Sequence, residues 1–137
     1  MKKRLAMLIA LGTTVLALLP ADPAAAHTVR YGTVSSFGLT ASGGEAALGR
    51  VSSPNAACVN NRKVKLYLVR PGRDLQVGVD RRTGVPSGNG DGYWVVPTNL
   101  RPGRSYYAVV GAKDLAAGSH LHLCKEYRTS VVPWQPA

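Results

Sequence analysis

The sequence predicts an all-β domain, a sandwich or a barrel. Three observations carry this reading. Apolar and polar residues alternate with a period of two through the middle of the chain, and Gly and Pro cut nearly every segment short. No window of about 11 residues or more sustains a 3.6-residue period. Short strands at close spacing, joined by Gly/Pro turns, are the pattern of two packed β-layers or a closed sheet.

The elements follow in chain order. Thr28 to Val34 and Ala47 to Ser52 are weak strands separated by the turn Ala41-Ser42-Gly43-Gly44. Val64, Leu66 and Leu68 alternate with Lys63, Lys65 and Tyr67. Leu75, Val77 and Val79 alternate with Asp74, Gln76, Gly78 and Asp80, so each segment has one wet face. Arg70-Pro71-Gly72-Arg73 sets a turn between them, because Pro fixes φ and Gly accepts positive φ, and the pair is predicted to be a hairpin. Tyr93 to Val96 and Tyr106 to Val110 are β-branched or aromatic, with Arg101-Pro102-Gly103 as the turn between them. Leu121 to Val132 is extended, with a phase break near Cys124. The predicted count is about seven strands. Ser87 to Gly92, SGNGDG, is a polar loop whose Asn-Gly and Asp-Gly steps favour positive φ.

The first 26 residues stand outside this domain. Lys2, Lys3 and Arg4 precede a nearly all-apolar run from Leu5 to Leu19, and Pro20 to Ala26 descend to small residues, the three regions of a secretory signal. An apolar run of about 15 residues spans only about 22 Å of the roughly 30 Å hydrocarbon core, so a cleaved leader is expected rather than an anchor. The prediction is a signal peptide over residues 1–26 and a single domain over 27–137. No Cys precedes Cys58 to accept a lipid, and Val131 to Ala137 form no hydrophobic anchor, so the product is expected to be secreted and free of the membrane. Removing Lys2, Lys3, Arg4 and Asp22 from the 17 basic and 7 acidic residues leaves 14 and 6, a net charge of +8. Export puts Cys58 and Cys124 where thiols oxidise, and one disulfide between them is expected.

Gly49-Arg50-Val51, Arg62 to Tyr67, Asp91 to Val96, Leu100-Arg101-Pro102-Gly103 and Tyr106-Tyr107-Ala108-Val109 occur in one order. This order resembles the carboxypeptidase regulatory-like, prealbumin-like (transthyretin-like) domain, whose pattern is Gly-x-Val, x-Val-x-Leu-Tyr, Asp-Gly-x-aromatic and Leu-x-Pro-Gly-x-Tyr. The match covers residues 46–112. The resemblance implies a seven-stranded Greek-key β-sandwich that serves as a structural or ligand-binding module. The Cys58–Cys124 pairing is similar to that of small exported bacterial proteins of this type. The related collagen-adhesin repeats carry a Lys–Asn isopeptide, but Tyr127 to Val132 contains no Asn, so none is expected.

Candidate chemistry is sparse. A mature amino-terminal His27, with His120 or His122, offers the nitrogen ligands that Cu(II) prefers, set against three simply solvated imidazoles. His120, His122 and Cys124 alternate as a zinc set, but a disulfide removes the thiolate. The loop from Ser87 has Ser at the first calcium position and Thr98 at the twelfth, too little negative charge for Ca²⁺. No nucleophile motif occurs, and Glu45, Asp74, Asp80, Asp91, Asp114 and Glu126 are dispersed. No catalytic residue and no cofactor is therefore assigned. Arg70, Arg73, Arg81, Arg82, Arg101 and Arg104 lie at strand ends and turns, either as a solvated basic surface or as a cluster for anionic polymers of a cell envelope. The functional expectation is a monomeric, non-enzymatic binding or accessory module with anionic envelope polymers as candidate partners. Export separates it from nucleic acid. The alternative is a copper-binding secreted protein.

Overall fold

The computed structural model describes residues 28–42, 44–81, 83–84, 90–117 and 120–136. The elements are β1 (Thr28–Tyr31), β2 (Val34–Ser35), β3 (Gly38–Thr40), β4 (Ala46–Ser52), a 3₁₀ turn (Ala56–Cys58), β5 (Val64–Leu68), β6 (Leu75–Asp80), β7 (Gly92–Pro97), β8 (Ser105–Val110), β9 (Lys113–Ala117), β10 (His120–Cys124), β11 (Tyr127–Arg128) and β12 (Val132–Pro133). The chain is all-β, as expected, but twelve strands lie among the described residues where about seven were predicted. Part of the excess arises where one edge is split. Both β2 and β3 pair along one edge of β4, and both β11 and β12 along one edge of β8.

Two sheets form a sandwich-like body. One has β4 between β7 and the β2/β3 edge; the other runs β6, β5, β8 and the β11/β12 edge. A third sheet, β1-β10-β9, includes the parallel pair β1–β10. Alternation does what the sequence implies. Val64, Leu66 and Leu68 of β5 turn inward against Trp94 and Val96 of β7, Ala47 and Val51 of β4, and Tyr106, Ala108 and Val110 of β8. Burying the Trp94 ring, roughly 200 Å² of surface, contributes at most about 5 kcal/mol. Gly49 must be Gly here. A Cβ would overlap the Ser36 carbonyl and approach Trp94 Cζ2 at 2.7 Å, while the same ring stacks on Phe37 at 6.1 Å and donates from Nε1 to Ser35 Oγ at 3.0 Å.

The two Arg-Pro-Gly turn predictions hold, whereas of the polar loop's Asn-Gly and Asp-Gly steps only the first has positive φ: Gly90 is at 76°, and Gly92 instead opens β7. Gly72 and Gly103 have φ of 85° and 71°, and β5 and β6 form an antiparallel hairpin. β7 and β8 lie in different sheets, so the Arg101-Pro102-Gly103 turn carries the chain across the sandwich. The crossing is held by a tyrosine corner, in which the Arg101 amide donates to the hydroxyl of buried Tyr106 at 2.8 Å. One expectation needs correction. The simple alternation read for Leu75 to Asp80 is broken by a bulge opposite Leu66 and Tyr67. Gly78, paired with Leu66, therefore sits under Val96, where a side chain would overlap.

The predicted disulfide is present. Cys58 in the 3₁₀ turn and Cys124 at the end of β10 are bonded, both fully buried, with Cα atoms 5.5 Å apart. It fastens the third sheet to the connection between β4 and β5. Among the described residues no helix is long and apolar enough to cross a membrane.

Candidate anion-binding site

Of the six arginines singled out at strand ends, four come together. The β5–β6 turn carries Arg70 and Arg73, and the β7–β8 turn carries Arg101 and Arg104. Leu68 pairs with Tyr106, and the Val69 amide donates to the Ser105 carbonyl at 2.9 Å, which brings the two turns to one end of the sheet. The second turn is pinned from below: the Gly103 amide donates to the Trp134 carbonyl at 2.9 Å, and the Trp134 amide to the Arg104 carbonyl at 2.7 Å. Arg81 lies beyond the other end of β6, about 20 Å away at strand rise. Arg82 lies outside the described residues.

Two adjoining grooves run over this end and share Arg70 and Leu75. The larger, about 540 Å³, is bounded by Lys65, Tyr67, Arg73, Asp74 and Gln76; the smaller, about 370 Å³, by Leu68, Pro71, Arg101 and Arg104. These volumes fall in the range of small-molecule sites. Lys65 and Tyr67 reach the first groove because β5 alternates: with Val64, Leu66 and Leu68 inside, the residues between them must face out. That signal was available in the sequence. Gln76 and Asp74 also lie on the wet side that alternation assigned, since the bulge falls beyond Gln76; what the sequence did not show is that this face meets the arginine turns.

The acidic member is committed elsewhere. Asp74 Oδ1 accepts from the Arg70 amide at 3.1 Å, and Oδ2 accepts from the Tyr107 hydroxyl at 2.9 Å. The Arg70 amide first, then the Tyr107 hydroxyl, hold the Asp74 carboxyl below its usual value. Burial, then the bond to Asp74, pushes the Tyr107 phenol up. Tyr107 stacks on Tyr67 with centroids 5.2 Å apart and planes 10° apart, and the Arg128 guanidinium stands 3.8 Å from the Tyr107 centroid. Because the folded carboxyl is depressed, its stabilising contribution is complete above the unfolded Asp value of about 3.9 and is lost as pH falls through the folded value. Asp74→Asn is accordingly expected to lower the melting temperature at pH 7 and to flatten the acid limb below about pH 4. Melting curves of both proteins from pH 2 to pH 7 check this; parallel curves would refute the role given to Asp74.

The other candidates are dispersed. His120 and His122 lie on β10, with His122 edge-on to Tyr31 at 5.5 Å. His27 lies outside the described residues, as do residues 87–89 of the polar loop. Cys124 is in the disulfide, so it supplies no thiolate for zinc. Among the described residues no three His, Cys, Asp or Glu side chains converge as a metal ion requires. Asp91 accepts from Ser52 Oγ at 2.6 Å and lies 3.6 Å from Arg50 Nη1. Glu45 caps the Leu100 amide and Asp80 the Val95 amide. Comparison of the chain with protein families, with curated proteins and with solved structures finds no match.

Proposed function

We propose that the protein is a secreted, non-enzymatic β-sandwich module that binds anionic polymers of a cell envelope at its Arg-lined end. The observation that carries this is the meeting of Arg70, Arg73, Arg101 and Arg104, from two turns, around two adjoining grooves. Guanidinium groups suit phosphate and carboxylate because their planar forks donate two bonds at once. A closed disulfide is consistent with an oxidising compartment outside the cytoplasm. Four of the carboxylates hold turns or strand edges, which favours a binding role over acid–base chemistry. The seven-stranded Greek key of a prealbumin-like domain remains the preferred architecture. Counting β2 with β3 and β11 with β12 as split edge strands leaves seven positions in the two facing sheets, with β1, β9 and β10 as an addition.

The test is retention of the mature, oxidised protein on cell-wall material and on soluble polyanions over a salt series. Wild type is expected to bind at low ionic strength and to weaken steadily with salt. The variant with Arg70, Arg73, Arg101 and Arg104 changed to Ser is expected to lose at least about tenfold in affinity. Equal retention of the two proteins would sink the proposal.

One observation favours copper as a second reading. β1 and β10 run parallel with Thr28 opposite Leu121, so the residue that follows His27 stands level with the segment between His120 and His122. Cu(II) titration of protein beginning at His27, beside protein with one additional N-terminal residue, decides it; equal affinity excludes a site built on the terminal amine.

A further inference from the structure

We infer that the polymer bound at the Arg-lined end is an acidic polysaccharide, with a sugar ring seated on Tyr67. This rests on the polyanion reading above and adds the chemical class of the ligand. A chain of bare charges needs only cations, yet the larger groove also contains an aromatic ring and an amide, Tyr67 and Gln76.

The placement of Tyr67 follows from the sheet order. β5 lies between β8 and β6, so one face of Tyr67 covers Tyr107 on β8 and the other looks toward β6, where Gln76 is its register partner. Tyr107 in turn has its hydroxyl fixed by Asp74 and its ring covered by Tyr67 and Arg128, and is only 6% exposed. Tyr67 is thus the outer member of a stack held in place before any ligand arrives, so little ordering entropy is lost on binding. The negative face of an aromatic ring attracts the polarised C–H groups of a pyranose, and the Gln76 amide offers both a donor and an acceptor for its hydroxyls. Lys65, Arg70 and Arg73 border the same groove, and Arg101 and Arg104 continue the cationic lining into the next. One ring platform between cations fits one sugar per acidic group. A single-stranded nucleic acid groove would instead stack successive bases on several open aromatic faces.

The experiment uses the mature oxidised protein with four probes: polygalacturonate, neutral dextran, inorganic polyphosphate and poly(dT), each titrated by calorimetry at low salt. Tyr67→Ala is expected to weaken polygalacturonate binding about tenfold and polyphosphate binding less than twofold. Tyr67→Phe, which keeps the ring, is expected to match wild type on both, and melting curves of each variant verify the fold. Equal effects of Tyr67→Ala on the two anions, or none on either, would overturn the sugar platform while leaving the polyanion reading intact. The same tenfold loss on poly(dT), with tighter binding than to polygalacturonate, would overturn it in favour of nucleic acid. If wild type binds none of the anions, or the four-arginine variant binds them all undiminished, the underlying polyanion reading fails instead.

Discussion

Replacing Arg62 with alanine is expected to destabilise the folded protein by about 4 kcal/mol, among the largest effects of a single substitution. The side chain is 1% exposed. Its Nε donates to the Gly111 carbonyl at 3.0 Å, Nη1 to the Cys58 carbonyl at 2.6 Å and Thr33 Oγ1 at 3.2 Å, and Nη2 to the Gly111 carbonyl at 2.5 Å and the Lys125 carbonyl at 2.9 Å. These acceptors come from the β1–β2 connection, the 3₁₀ turn, the β8–β9 connection and the β10–β11 connection. One guanidinium therefore ties the third sheet to the body of the sandwich. Its burial pulls the guanidinium below its usual value, but an arginine stays charged, so removal costs the bonds without relieving an ionisation change. Each buried carbonyl left without a donor costs about 1–3 kcal/mol, with losses that do not add.

Two further variants separate the causes. Arg62→Met keeps most of the stem volume and is expected to fall within about 1 kcal/mol of Arg62→Ala, because orphaned acceptors rather than a cavity dominate. Arg62→Lys is expected to recover less than half of the loss, since three donors on one nitrogen cannot reach acceptors arranged around a planar fork. Urea unfolding with an unchanged slope is the measurement. Near-complete rescue by Met would show that packing, not hydrogen bonding, is what Arg62 supplies.

Nothing in the local sequence distinguishes Arg62 from the other arginines. It stands beside Lys63 at the start of a strand and reads as a solvated charge, because its partners lie up to 63 residues away. By contrast β5 was legible because a period of two records which face is dry without reference to any partner, and β7 and β8 were legible as strands from their β-branched and aromatic residues. The two Arg-Pro-Gly turns were legible for the same local reason. β9, Lys113–Ala117, was missed because KDLAA has little β propensity and is strand only through its register with β10. The bulge in β6 was missed because it answers to Val96 across the sandwich. The candidate site divides along the same line. That arginines sit at turns is local, while the sharing of one end by Arg70 and Arg104 is a matter of which strands cross between sheets.

The second large effect concerns the bond beside Arg62. Changing Cys58 and Cys124 together to alanine is expected to cost about 2–5 kcal/mol, with the chain-entropy value near 4 for a closed loop of this length. Position determines what is lost. Cys124 ends β10, the central strand of the third sheet, and Cys58 belongs to the turn between β4 and β5. With the bond gone, that junction rests on the Arg62 fan and on Lys113 Nζ donating to the Ala57 and Asn60 carbonyls at 2.9 and 3.0 Å. The third sheet is therefore expected to open before the sandwich does. Hydrogen exchange in β9 and β10 should accelerate far more than in β5 and β8. Since the Cys58 carbonyl is itself an Arg62 acceptor, the two losses are coupled, and the triple variant should fall short of their sum by about 1 kcal/mol or more. Uniform acceleration of exchange across all sheets would instead show that the bond acts on the unfolded chain alone, with no local role at this junction.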